Sequence, residues 1–284
     1  MAQTLSLDVM VIVLVAAALH AVWHALVRAS TDKFHDTVLI VLGAAVLAAL
    51  LLPFFPLPAP VSWPYLAASA VIHVGYFSVV ALAYRGGELG FAYPLMRGAA
   101  PLMSAVAAAL LMRELPSPGG WAGVMLISGG VLLMMGDAWR AGTLRAAPAM
   151  LALGNAVVIA LYTLIDGQGA RLSGHAFAYT AWLFLLTAVM LVAIAWVRDA
   201  RTLLRRTQTG WRRGLLGGAC TLAAYGLVLW AMTRAPIALV AALRETSVVF
   251  AALIAAVFLK ERITPLRYVS IATVCAGAAA MKLF

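Results

Sequence analysis

Ten apolar runs, each close to twenty residues long, recur along the 284-residue chain with only short polar breaks between them. They fall at 8–28, 36–53, 65–84, 92–112, 119–137, 147–166, 176–197, 213–233, 237–259 and 266–283. About 20 apolar residues in a helix cross the roughly 30 Å hydrocarbon core of a bilayer, so each run matches one crossing. Backbone groups in lipid must be satisfied inside a helix or a closed barrel. The runs lack the alternating pattern of barrel strands. The expected fold is therefore an all-α polytopic membrane protein of ten transmembrane helices. With 65% hydrophobic and 11% charged residues, no stretch remains for a soluble catalytic domain. The longest polar break, RDARTLLRRTQTGWRR at Arg198–Arg213, is expected as a basic loop. The opening MAQTLSLD has no basic n-region, so the first run is expected to stay as helix one rather than be cleaved as a signal.

The net charge of +10 would suggest nucleic acid in a soluble protein. Here the cations sit between spans, where they set topology and meet anionic lipid headgroups. Loops after runs one, three, five, seven and nine hold 14 Lys and Arg, against 4 on the opposite side. That bias predicts a cytoplasmic 198–213 segment and both termini outside. Cys220 and Cys275 both fall inside runs and are expected as small apolar residues rather than a disulfide or a metal pair.

A shift of 147 residues superposes Arg97 on Arg244, Arg113 on Lys260, Glu114 on Glu261, Pro118 on Pro265, Trp121 on Tyr268 and Gly130 on Gly277 without a gap. The matches place runs four and five on runs nine and ten, and HAVWHALVR at 20–28 corresponds more loosely to VIALYTLID at 158–166. Residues 1–140 and 141–284 thus read as two repeats of five helices each. Five is odd, so the second copy must enter the membrane from the opposite face. Inverted repeats of this kind are the usual plan of secondary transporters, with substrate held near the midplane between the halves.

These residues resemble the EamA type of the drug/metabolite transporter superfamily. The likeness rests on a Glu closing the fourth helix of each half, in LLMREL and FLKERI, followed by a short turn with proline and a Gly-rich helix. HAVWHALVR and AYPLMRGAAP resemble first- and fourth-helix signatures of a subgroup, with His24 standing where Asn is expected. The resemblance covers essentially the whole chain. It implies a ten-helix bacterial inner-membrane carrier of metabolites, commonly an exporter, that hydrolyses no nucleotide, and it implies both termini inside, against the charge count.

Arg97 and Arg244 lie about 6 to 8 Å from the span centres at 1.5 Å per residue. An arginine near the bilayer centre costs roughly 2.5 to 3.5 kcal/mol on insertion scales, so such residues face the bundle interior, a partner or water. Arg244 has Glu245 beside it, whereas the nearest acid in sequence to Arg97 is Glu88. Pro94 and Pro101 each remove an intrahelical hydrogen bond beside Arg97, and Gly98 permits close backbone approach. All three are read as hinge or kink positions in helix four. His20, Trp23, His24 and Val27 form one stripe, and His73, Tyr76, Phe77 and Tyr84 another. Tyr162 and Tyr225 mark helices six and eight. Tyr84, Trp230 and Asp166 lie near span ends, where an interfacial belt or snorkelling accounts for them. His20 and His24 have the i, i+4 spacing of a metal face, but no carboxylate or thiol completes a set, and no metal or other cofactor is expected.

The substrate-binding set read from the sequence is therefore Arg97, Arg244, Glu245, His20, Trp23, His24, His73, Tyr76, Tyr162 and Tyr225. Two arginines against one midplane carboxylate favour an anionic ligand. Amino acids and related carboxylates fit, with an arginine for the carboxylate and Glu245 or the tyrosines for the ammonium. The alternatives are a carrier of organic anions or phosph(on)ates and an intramembrane lipid-modifying enzyme, but paired acids or an HExxH motif for the latter are missing. Glu245, Asp166 or the histidines can carry a coupled proton. The expected partners are a small-molecule substrate and membrane lipid. The chain is expected as a monomer or weak homodimer, with the small-residue faces Gly119-x-x-x-Gly123 and Ala276-x-x-x-Ala280 able to pack within one bundle.

Overall fold

The computed structural model describes residues 5–28, 30, 32–83, 89–136, 146–258, 260 and 264–283. Tyr84, Glu88 and Glu261 lie outside the described residues, as does the side chain of Phe77. The described chain is helical, with no strand among its residues. Helices α1 (Leu7–Arg28), α2 (Lys33–Leu51), α3 (Trp63–Ala83), α4 (Leu89–Leu111), α5 (Pro118–Leu133) and α6 (Ala146–Leu172) come first. A continuous stretch, Ala176–Met232, follows and breaks at Asp199, whose φ of −161° and ψ of 82° are not helical. We number its parts α7 (176–198) and α8 (200–232). The chain closes with α9 (Ile237–Arg244), α10 (Ser247–Phe258) and α11 (Pro265–Leu283). Seven described helices, the 57-residue stretch counted as one, are long and apolar enough to cross a membrane, and the protein is an integral, multi-pass membrane protein.

The 198–213 segment is a correction to the sequence reading, because it is helix rather than loop. The Asp199 carboxylate accepts the backbone N–H of Thr202 at 2.9 Å, the geometry of an N-cap, so α8 starts anew at once. Leu203 is buried, Arg206, Thr207 and Gly210 are half-buried, and Gly214 is buried. That stripe at helical spacing holds the segment against α2. Similar local chemistry starts α5, where Ser117 Oγ accepts the N–H of Gly120 at 3.0 Å and Pro118 occupies the first turn. Span nine breaks between α9 and α10 at Glu245 and Thr246. By contrast α4 runs without interruption through Pro94 and Pro101.

Two glycine-lined contacts position the bundle. In α2 against α8, a β-carbon on Gly218 would sit 2.4 Å from the backbone N of Ala44, and one on Gly43 would sit 2.2 Å from Gly214 O. In α5 against α11, a β-carbon on Gly130 would lie 3.0 Å from Ser270 O, and one on Gly277 2.9 Å from Gly123 O. Under the 147-residue shift Gly130 becomes Gly277 and Gly123 becomes Ser270, so each contact is the image of the other. Reciprocal contact of this sort is the mark of a two-fold relation. Rising numbers on α5 meet falling numbers on α11, so the two helices run antiparallel. Arg113 (φ 56°) and Lys260 (φ 52°), one residue position under the shift, both adopt the left-handed conformation that closes helices. Lys282 Nζ donates to Leu5 O at 3.4 Å, which puts the start of α1 and the end of α11 on the same face.

Candidate functional site

The two intramembrane arginines meet one carboxylate. Arg97 Nε lies 2.7 Å from Glu245 Oε2, and Arg244 Nη2 lies 3.7 Å from Oε1. Arg97 also donates to Ser247 Oγ at 2.9 Å. All three ionic residues are withdrawn from the surface, with Arg97 and Glu245 1% exposed and Arg244 4%. The break after α9 makes this possible, because Glu245 caps α9 and turns across to span four. Arg97 is therefore not the uncompensated cation suggested by its distance from Glu88, and Glu245 is already committed to it. The group carries two positive charges against one negative, with the surplus on the Arg244 side. Arg244 Nε is buried and has no hydrogen-bond partner among the described residues.

A cavity of about 50 Å³ opens beside Arg244 and is lined also by His20, Trp23, His73, Tyr76, Tyr162 and Tyr225. Seven of the ten residues assigned to the site from sequence thus converge on one chamber. Leu183, Phe184, Thr187 and Thr221 complete the wall. Sequence reasoning missed these four, since neither apolar residues nor threonines stand out in an apolar helix. Arg97 and Glu245 lie behind Arg244 rather than in the wall. His24 stacks on Trp23 with ring centroids 3.8 Å apart. Trp23 Nε1–H donates to His20 Nδ1 at 3.1 Å, so in the neutral ring His20 carries its hydrogen on Nε2. Ligand pockets usually hold 300–1,000 Å³, so the chamber as it stands is smaller than most sites that hold a metabolite.

The proposed kink residues contact protein. Pro94, Gly98 and Pro101 are all buried. A β-carbon at Gly98 would meet the Leu132 side chain at 2.7 Å and Ser128 O at 3.1 Å. The close approach that Gly98 permits is that of α5.

Asp166 departs most from the sequence reading. It was placed at a span end, but α6 continues to Leu172 and the carboxylate is 0% exposed. Tyr179 Oη donates to Oδ1 at 3.0 Å, and Tyr225 Oη donates to Oδ2. Ser69 and His73 of α3 also face it. His73 Nδ1 lies 3.0 Å from Ser69 O, which can only accept, so that nitrogen carries a hydrogen. Trp230, in contrast, lies under the Arg234 guanidinium at 4.5 Å, as an interfacial residue does.

Polar clusters close both ends of the bundle. On the face where α1 ends and α2 begins, Arg206 pairs with Asp36 at 2.7 Å and Arg213 approaches the same residue at 3.7 Å. Arg213 also donates to Leu26 O. On the other face Arg171 pairs with Glu114 and donates to Met232 O at 2.7 Å and Ala235 O at 2.9 Å. Glu114 Oε2 accepts the N–H of Ile237 at 2.9 Å. Residues of both sequence halves meet in each cluster.

A helical bundle with buried charges beside an aromatic-lined chamber and an ion-pair cluster at each end agrees with what its relatives indicate, a membrane transporter of small molecules. Residues 147–283 match the EamA-like transporter family and form an EamA-like transporter domain. The uncharacterized transporter YwfM of Bacillus subtilis (strain 168) is 24% identical over 217 residues, which are 76% of this chain and 72% of that protein. A solved crystal structure of a protein superposes with a TM-score of 0.74 at 18% identity, covering 97% of this chain and 96% of the other. It shares the fold.

Proposed function

We propose that the protein is a secondary carrier that moves small carboxylate-bearing metabolites, amino acids foremost, out across the cell inner membrane. The chamber beside Arg244 is where the substrate binds. The observation that carries this reading is the state of Arg244: it lines the chamber, it is buried, and the carboxylate next to it is held more closely by Arg97. A cation so placed in low dielectric attracts an anion strongly. The rings of Trp23, Tyr76, Tyr162 and Tyr225 supply apolar surface and faces for an ammonium group.

The two halves, 1–140 and 141–284, act as inverted five-helix repeats in ten crossings, with the 198–213 segment in the cytoplasm and both termini outside. Transport alternates between opening the Asp36–Arg206 latch and opening the Glu114–Arg171 latch around a fixed site. Because Glu245 is engaged by Arg97, an organic anion without an ammonium group is the second reading.

Proteoliposomes loaded with a radiolabelled amino-acid mixture test the first. Removing one partner of a buried charge contact costs about 2–5 kcal/mol, so Arg244→Ala is expected to lower flux by at least roughly tenfold. Flux unchanged in Arg244→Ala removes the site, and flux of benzoate in place of amino acids selects the second reading.

A further inference from the structure

Asp166 is a buried carboxylate for which the substrate site has no direct use, and its partners are unusual for one held permanently ionised. Among the described residues it makes no ion pair with lysine or arginine. Its two oxygens are met by phenol hydroxyls from two other helices, Tyr179 of α7 and Tyr225 of α8. The remaining groups facing it are Ser69 and His73 of α3. His73 stacks on Tyr162, one turn before Asp166 on α6, with centroids 4.4 Å apart. Arg244 lines the same chamber as Tyr225. An isolated ion in such surroundings costs several kcal/mol, and an ionisable residue inside a membrane bundle marks an ion or proton pathway more often than a packing role.

Tyr225 is the link. Its hydroxyl donates to Asp166 Oδ2, and its ring lines the chamber. We propose that Asp166 is the proton-binding site of this carrier and that its protonation turns the Tyr225 hydroxyl from Asp166 toward the substrate carboxylate. The balance is simple. A proton from chamber water adds to Oδ2, and the new O–H donates to Tyr225 Oη. The phenol hydrogen, no longer accepted by Asp166, points into the chamber, and the reverse sequence returns the proton to water on the opposite face. No bond to carbon changes. Proton and anion then bind cooperatively, since each is better held when the other is present, and export down the metabolite gradient takes the proton outward with it. The second half of this inference rests on the anionic-substrate reading above, and the proton site itself does not.

Infrared pH-difference spectra of the purified protein test the site without any substrate. Among the protonated-carboxyl bands that the ten Asp and Glu residues can give, wild type is expected to show one at the frequency of a buried, phenol-bonded carboxyl that grows on acidification. Asp166→Asn is expected to abolish the band and Tyr225→Phe to keep it at a shifted frequency. Should Asp166→Asn fail to fold, Gly169→Ala serves instead: its added β-carbon would lie 2.5 Å from Tyr179 Oη, displacing that donor and shifting the same band. In proteoliposomes, Asp166→Asn is expected to retain counterflow of the radiolabelled amino-acid mixture and lose accumulation driven by a pH gradient. A band that persists in Asp166→Asn, or a pH response lost in His73→Gln instead, overturns the proposal. Wild-type vesicles that move no amino acid while the Asp166 band titrates refute the substrate reading and leave the proton site standing.

Discussion

Arg97 and Arg244 occupy one position of the 147-residue shift, yet their surroundings differ. Arg97 lies 2.7 Å from Glu245 and donates to Ser247, whereas Arg244 stands 3.7 Å from the same carboxylate and lines the chamber. Truncating one partner of a buried pair leaves the other charge uncompensated, at about 3–5 kcal/mol, while replacing both with apolar groups is often neutral. Arg97→Ala is therefore expected to lower the thermal midpoint in detergent, because it removes the nearer partner of Glu245 and leaves only Arg244 at 3.7 Å. Equal midpoints for Arg97→Ala and wild type would show that the pair contributes nothing. The presence of both arginines, and their inward orientation, were legible because charge inside an apolar run has few solutions. The identity of Arg97's partner was not. Glu245 stands 148 residues from Arg97 in the sequence, and only the packing of α4 on α9 brings them together. Asp166 was misjudged for a related reason: a span end read from hydropathy alone fell six residues short of the helix end at Leu172.

Among the elements, the α5–α11 contact gives the sharpest test because two adjacent glycines differ completely. A β-carbon on Gly130 would meet Val274 at 2.8 Å and backbone atoms of Ser270 and Val274 at 3.0 Å, whereas one on Gly129 meets nothing within 4 Å. Gly130→Ala is expected to destabilise the bundle by about 1–3 kcal/mol, as overpacking does. Gly129→Ala should be neutral or slightly stabilising, since alanine favours helix. Thermal melts of the two variants in one detergent decide it, and similar midpoints would mean that the helices are not in close contact. Small-residue spacing made such a face visible in sequence, and Gly123 is spent on α11 within the chain. The helical 198–213 segment escaped notice because its charge dominated the reading. The spacing of Leu203, Thr207, Gly210 and Gly214 carried the signal. The break in span nine had no such mark, since no proline stands there. The prolines of α4 drew attention to a helix that stays whole.

For the molecule as a whole, the chamber lies between two ion-pair clusters, and opening one should expose what lies beneath it. Cys220 sits two turns inward from Arg213 on α8, packed with Trp23, Val27 and Ile40. Partly exposed ion pairs contribute up to about 1 kcal/mol, so Asp36→Asn is expected to raise the rate of maleimide labelling at Cys220 roughly fivefold. Mass spectrometry in a Cys275→Ser background measures it, and an unchanged rate would mean that the cluster does not hold that end shut. The 200–232 helix bears on every part of this movement. At 1.5 Å per residue it is about 50 Å long, well beyond the roughly 30 Å hydrocarbon layer. Its arginine-studded head therefore reaches the plane of lipid phosphates, while the phenol of Tyr225 stands about two turns from its other end at Met232. A stiff rod gripped at one end by the membrane surface would convert any tilt there into sideways travel at the chamber, which would tie the proposed gating to the charge of the surrounding leaflet.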